Sequence, residues 1–292
     1  KLNNINDYKE KFHKQQNTIN CGVLIGHGTI RICAMGFDNR KPNSNEMEYM
    51  KELLDYELQN GALGMSLGLI YPPGSFSDIE ELIELAKVIK KHDGILTAHI
   101  RDEKDQVFDA VKEMIAIAQA TKAHVHISHL KLMGRKNWGR AKELYDLIKE
   151  ANNRGLNITC DQYPYRASST NLIAVVPSWA QEGGILKMLD RLNNNPDKIE
   201  GEITRLINER GGSDRIEISS TFGAKPEYEG LLLSDLSQKF NLSPCKTVIK
   251  ILNETGGDAN AIYFSMSDED VHYILSQEDI IAASDGYGLN LN

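Results

Sequence analysis

Between Gly61 and Tyr165 the chain alternates short apolar runs with helix-length amphipathic stretches, and this pattern limits what it can fold into. "GALGMSLGLIYPPG" (Gly61–Gly74) reads as a glycine-rich strand stopped by two prolines. "SDIEELIELAKVIKKHDG" (Ser77–Gly94) reads as a helix capped by Ser77, with Asp78 and Glu80 early, Lys90 and Lys91 late, and Gly94 past its end. The unit then repeats. "GILTAHIR" is a strand and "KDQVFDAVKEMIAIAQATK" a helix; "AHVHISHLK" is a strand and "WGRAKELYDLIKEANNRG" a helix; "LNITCDQYPY" (Leu156–Tyr165) is a further strand. Strands separated by helices of this length need crossover connections, so the expected sheet is parallel. No G-x-G-x-x-G follows a strand, so the expected α/β fold is a (β/α) TIM-type barrel rather than a dinucleotide-binding sheet.

Upstream, "NCGVLIGHG" (Asn20–Gly28) reads as a strand ending in glycine. "NEMEYMKELLDYELQN" (Asn45–Asn60) reads as a helix with Met47, Met50, Leu53, Leu54 and Leu58 at helical spacing. The regularity breaks after Tyr165. "RASSTNLIAVVPSWAQEGG" is loop-like, and residues 183–278 read as a mostly helical excursion with strands at "RIEISST" and "AIYFSM". "DIIAASDG" (Asp279–Gly286) returns to a strand that ends on Asp285. The expected division is therefore 1–182 for barrel strands and helices, 183–278 for the insertion, and 279–292 for the last strand.

Composition removes several classes of function. A net charge of −8 over 292 residues, with no basic stripe, argues against a nucleic-acid partner. No apolar stretch reaches the roughly 18 residues a membrane helix needs. The N-terminal "KLNNINDYKEKF" has no apolar core of a signal peptide. Four cysteines, Cys21, Cys33, Cys160 and Cys245, are far apart and form no C-x-x-C, which fits a reducing cytoplasm better than a disulfide framework or zinc ribbon.

The chemistry concentrates at strand ends. Alternate residues of a strand share a face, so Ile95, Thr97 and His99 form one set, Val125, Ile127 and His129 a second, and Ile281, Ala283 and Asp285 a third. If all three sets point into the barrel, two imidazoles and a carboxylate converge on its C-terminal rim, where active sites of this fold lie. Two neutral imidazoles can hold a zinc ion, and zinc lowers the pKa of a bound water from about 15.7 toward about 7. That constellation predicts metal-assisted hydrolysis. His124 and His126 form an H-x-H but fall on the face opposite His129 and are read as structural. His27 in "GHG" fits a structural role and a site-lining role equally. Tyr163 and Tyr165 in "DQYPY" could pack a core or meet a ligand.

The segments "GHGTIR", "GALGMSLGLIYPPGSFSDIEELIELAKV", "AHIRDE", "ISHLK", "NWGRA", "DQYPYRASST", "WAQEGG" and "SDG" occur in an order that resembles the N-acyl-D-amino-acid deacylases (D-aminoacylases) of the amidohydrolase superfamily. The resemblance spans Gly26 to Gly286. It implies a metal-dependent barrel hydrolase using one or two zinc or similar divalent ions. It implies that His99 and His129 are metal ligands on the fifth and sixth strands of the family's barrel, and that Asp285 on the eighth is the general base that then protonates the departing amine. Tyr71, Lys131, Tyr163 and Ser168 match positions that approach the substrate, a small N-acyl amino acid. Family members open with a β-sandwich segment, a first strand carrying H-x-H and a second supplying a metal-ligand cysteine in N-C-G. Those two strands and the flanking sandwich segments have no counterpart here. "NCG" at Asn20–Gly22 matches the third strand, so Cys21 is a poor stand-in. The chain lacks an initiator Met and stops just after Asp285, so it reads as a central fragment, an incomplete barrel whose open edges could pair in a homo-oligomer. Cyclic-amide hydrolases of the dihydroorotase or hydantoinase kind, and a catalytically inactive fragment, are the alternatives.

Overall fold

The computed structural model describes residues 4–15, 20–194 and 196–286. In chain order its elements are α1 (Ile5–Lys14), β1 (Leu24–Gly26), α2 (His27–Met35), α3 (Ser44–Gln59), β2 (Gly64–Gly68), α4 (Ile79–Lys91), β3 (Ile95–His99), α5 (Val107–Thr121), β4 (His124–Ile127), α6 (Ala141–Asn153) and β5 (Ile158–Gln162). There follow β6 (Ser168–Asn171), α7 (Ile185–Asn194), α8 (Pro196–Glu209), β7 (Ile216–Ser220), α9 (Leu233–Phe240), α10 (Pro244–Glu254), β8 (Asn260–Tyr263), α11 (Asp268–Leu275) and β9 (Ile280–Ala282). The chain divides into two units. The first holds Lys1–Arg101, Phe108–Ser128 and Leu147–Cys160; the second holds Asp102–Val107, His129–Asp146 and Asp161–Asn292.

The first unit contains the parallel sheet that the alternation predicts: β1, β2, β3, β4 and β5 are neighbours in that order. Its register sorts the side chains. Met65, Leu96, Val125 and Ile158 lie across from one another, as do Leu67, Ala98, Ile127 and Cys160, and all eight are buried. Between them run Ser66, Thr97, His126 and Thr159, a polar row on the other face. One face thus forms a core and the other a polar lining. The helices supply matching apolar stripes: Leu82, Leu85, Ala86 and Ile89 of α4, and Val111, Met114, Ile117 and Ala118 of α5.

Local signals differ from the reading above in two places. The strand at Asn20–Gly28 is three residues long, and its end at Gly26 caps α2, so His27 opens a helix instead of closing a strand. The cap of α4 is Asp78, whose side chain accepts the Glu81 N–H at 2.9 Å; Ser77 instead donates its hydroxyl to Gly74 O at 2.7 Å. The carboxylate wins the cap because it is the stronger acceptor and sits at the start of the macrodipole.

In the second unit, β6, β8 and β7 form an antiparallel sheet in that order. The Ser-Ser-Thr-Asn run that reads as loop is therefore a strand. It has no hydrophobic alternation of its own and is recruited by β8, some ninety residues later. A core of Leu172, Ile199, Ile203, Ile216, Ile218, Val248, Ile251 and Tyr263 packs this sheet with its helices. The strand β9 follows β5 in the strand order, and the Ala283 N–H donates to Gln162 O at 3.0 Å. Among the described residues the six strands run in the order β1, β2, β3, β4, β5, β9, with no pairing of β1 to β9. Among the described residues, no helix is long and apolar enough to cross a membrane.

A Cβ on Gly64 would lie 1.8 Å from Ile95 O on the adjoining strand. Gly64→Ala should force β2 and β3 apart and cost about 1–3 kcal/mol. Urea unfolding checks this; an unchanged midpoint would show that the strands yield freely there.

Candidate metal and substrate site

In the first unit, His99 closes β3 opposite Gly68 of β2, and the Leu69 N–H donates to His99 O at 3.0 Å. The chain then turns through Tyr71, whose ring lies 5.2 Å from the His99 ring at 51°. The missing Cβ at Gly68 helps make this possible, since one built there would lie 3.3 Å from the Tyr71 ring.

In the second unit, His129 stands beyond the end of β4 with φ of 42°. Its backbone N–H donates to Asp161 Oδ1 at 2.5 Å, and the Leu130 N–H to Asp161 O at 2.8 Å. His129 Nδ1 is 3.1 Å from Glu103 Oε1 and 2.7 Å from Lys131 Nζ, and Lys131 pairs directly with Glu103. All three side chains are buried. The imidazole cannot satisfy both neighbours in one tautomer. Nδ1 either accepts from Lys131 or donates to Glu103, and the second arrangement is the one in which Nε2 is unprotonated, as a metal ligand must be. Burial pushes the Lys131 ammonium below its ordinary range, against the pull of Glu103, Asp285 and Asp161. Lys131 lies 5.3 Å over the Tyr163 ring, and Tyr165 stacks on Tyr163 at 6.0 Å.

Tyr163, Ser168 and Asp285 line one cleft of 620 Å³, with Tyr165, Arg166, Ile262 and Phe264 among its other walls. Of the sequence-expected residues, the second unit therefore gathers His129, Lys131 and Tyr163 in one cluster and Tyr163, Ser168 and Asp285 around one cleft. The first unit gathers Tyr71 and His99. The first unit thus offers the His99 imidazole as a donor, and the second offers the His129 imidazole and the Glu103 carboxylate. Two imidazoles and a carboxylate are a zinc-binding set, so the chemistry of the donors fits that ion.

Two residues escape a sequence reading. Glu103 is four positions beyond His99 in "AHIRDE", and Asp161 sits in "CDQYPY"; neither is at a tip of the expected alternation. The alternation also misleads on β4. By register, Val125 and Ile127 belong to the buried apolar face, while His126 shares the row of Thr97. His129 leaves that pattern because its backbone enters the left-handed region after the strand ends, and Asp285, with φ of 49°, does the same after β9. His124 Nε2 and His126 Nδ1 both bond the Thr159 hydroxyl, at 2.9 and 2.8 Å. Burial, then the neighbouring His126, lowers the pKa of His124. These two histidines are tied to a strand neighbour, as a structural role requires, although they lie on the polar face and not toward the helices.

His27 is fully buried, with Nε2 2.7 Å from Glu81 Oε1, and Arg31 pairs with the other Glu81 oxygen. Burial pushes the Glu81 carboxyl up, but the bonds from His27 and Arg31 outweigh it and hold the group below the ordinary 4.5. A depressed carboxyl stabilises the fold above its unfolded pKa, and that stability is lost as pH falls through the folded value. Glu81→Gln should cost about 3–5 kcal/mol at pH 7 by leaving Arg31 unpaired. The gap to the parent should narrow below pH 4.5. Urea midpoints across that range test it, and a gap constant with pH would contradict the linkage.

Comparison with known proteins places this geometry. No family model matches the chain. Structural similarity is extensive: the crystal structure of N-acyl-D-glutamate deacylase from Bordetella bronchiseptica, complexed with zinc and a phosphonate inhibitor, superposes with a TM-score of 0.78 at 29% identity over 97% of this chain and 52% of that one. D-aminoacylase, described as defining a novel subset of amidohydrolases, gives 0.77 at 29% identity over 97% and 51%. The open sheet and its helices are thus similar to part of the D-aminoacylase fold. Among curated proteins, N-acyl-D-aspartate deacylase of Alcaligenes xylosoxydans xylosoxydans is 30% identical over 92% of this chain and 46% of its own length. N-acyl-D-glutamate deacylase of the same organism is 29% identical over 93% and 48%. The chain is a homologue of the N-acyl-D-amino-acid deacylases and spans about half the length of these relatives.

Proposed function

We propose that this chain carries part of the active site of a metal-dependent hydrolase that cleaves the linear amide of N-acyl-D-amino acids. The observation that carries the reading is the buried Glu103–His129–Lys131 cluster beside Tyr163. His99, Glu103 and His129 would hold the zinc. When bound, zinc supplies Lewis acidity and eases loss of a proton from water at neutral pH. Asp285 takes the proton of the attacking water on its carboxylate and delivers it to the amine nitrogen as the C–N bond breaks, leaving a carboxylate and a free D-amino acid. Lys131 pairs with Glu103 and fixes its position. Tyr71, Lys131, Tyr163 and Ser168 orient the substrate, and the Tyr163–Tyr165 stack screens one side of the cleft from water. The homologues' names, all for linear N-acyl substrates, support this reaction over ring opening of a cyclic amide.

The division at 1–182, 183–278 and 279–292 belongs to the same reading, with the buried residues from Met188 to Tyr263 forming the core of the insertion and packing on residues 172–180 ahead of it. A cytoplasmic location is supported by four free cysteines. Open strand edges at β1 and β9 support pairing with another copy; light scattering that finds only monomer would sink that part.

Zinc content by plasma mass spectrometry tests the metal reading. The purified chain should hold near-stoichiometric zinc, with weaker binding in Glu103→Gln and loss of the metal in His129→Ala. Asp285→Ala should keep the zinc and lower turnover of N-acetyl-D-amino acids by about 10²–10⁴-fold. Undiminished turnover in that variant would remove Asp285 from the mechanism.

A further inference from the structure

The loop that carries Tyr71 is held by a residue that the reaction above does not use. Arg101 lies two positions after His99. Its guanidinium donates to Ser75 O at 3.1 Å and to Ser77 O at 3.0 Å, and its Nε and remaining donor pair with Glu113 of α5 at 3.1 and 2.9 Å. One planar fork therefore links the strand bearing His99, the loop after Tyr71, and a helix. Inside the loop, the Ser75 N–H donates to Tyr71 O at 2.9 Å, so the carbonyl that Arg101 grips belongs to the residue that Tyr71 itself bonds.

The other end of the loop is anchored independently. The buried His27–Glu81–Arg31 cluster ties the start of α4 to α2. Gly74 packs at the base, where a Cβ would lie 2.6 Å from Gly68 O and 3.7 Å from His27 Nδ1. Between these anchors the segment from Tyr71 to Ser77 closes on itself through turn bonds, and Arg101 is the side chain that grips two of its carbonyls.

We propose that Arg101, oriented by Glu113, is a positioning residue that sets the Tyr71 ring against His99. The functional weight of that geometry rests on His99 and Tyr71 serving the site proposed above. Lysine would keep the charge but has no planar fork whose separate nitrogens reach Ser75 O, Ser77 O and Glu113.

The test reads the His99 imidazole by NMR in the full 292-residue chain, where Tyr71 shifts its ring protons, and backbone amide exchange over residues 69–77. Tyr71→Leu defines the resonance without the ring. Arg101→Ala and Arg101→Lys should each move His99 most of the way to that position and speed exchange in the loop about tenfold or more, as expected for losing charge-assisted hydrogen bonds. Arg101→Lys decides the matter if Arg101→Ala does not fold. His27→Gln, which keeps a donor at the Nε2 position, should leave His99 where it is. An unmoved His99 in both Arg101 variants overturns the proposal. So does an equal shift in His27→Gln, which would put control at the base of the loop. Zinc content is measured separately: a chain without zinc would sink the metal reading and leave this result intact.

Discussion

The hydrogen-bond register of the parallel strands β1 to β5 is the constraint on which the rest depends. Parallel pairing aligns like with like across the sheet, so two rows become wholly apolar and the intervening row wholly polar. The apolar rows bind the helices by burial. The polar row gives a lining in which the hydroxyls of Ser66, Thr97 and Thr159 and the His126 imidazole stand without an apolar group to displace them. A slip of one residue would exchange the two faces, and Gly64, pressed on Ile95 O, is one of the positions that opposes such a slip.

At the ends of the strands the regular geometry stops, and chemistry begins there. His129 and Asp285 both adopt left-handed backbone just past a strand. Such a conformation is unfavourable for a residue with a Cβ and is maintained at His129 by the Asp161 carboxylate on its N–H. The buried Glu103–Lys131 pair follows the same logic. Removing two charges from water costs several kcal/mol each, and apolar residues would fill the space at less expense. Here the pair sets the Glu103 carboxylate 3.1 Å from the His129 imidazole. The separate His27–Glu81–Arg31 cluster has a different task, since it touches the loop and not the donors.

Much of the architecture was legible in the chain. The periodic segments from Gly61 to Tyr165 specify strand, helix and crossover, because burial of alternate or every third and fourth residue leaves a direct mark on composition. His99, His129, Lys131, Tyr163, Ser168 and Asp285 could be proposed from motifs. Glu103 could not be singled out, because a glutamate in a polar loop looks the same whether it is solvated or pairs with a buried lysine 28 residues on. Strand β6 was hidden for a similar reason: its residues carry no alternation, and only β8 makes them a strand.

By itself, then, the sequence determined a parallel α/β sheet, the order of its elements, and which strand ends bear histidine or aspartate. These follow from local periodicity and residue type. Only the tertiary structure decided the direction in which those groups face. It put His126 on the polar face, turned His129 out of the strand's alternation, joined Glu103 to Lys131, and laid Tyr71 beside His99 under the grip of Arg101. Each of these depends on register, left-handed backbone or a partner far along the chain, and none of those is written in the spacing of neighbouring residues.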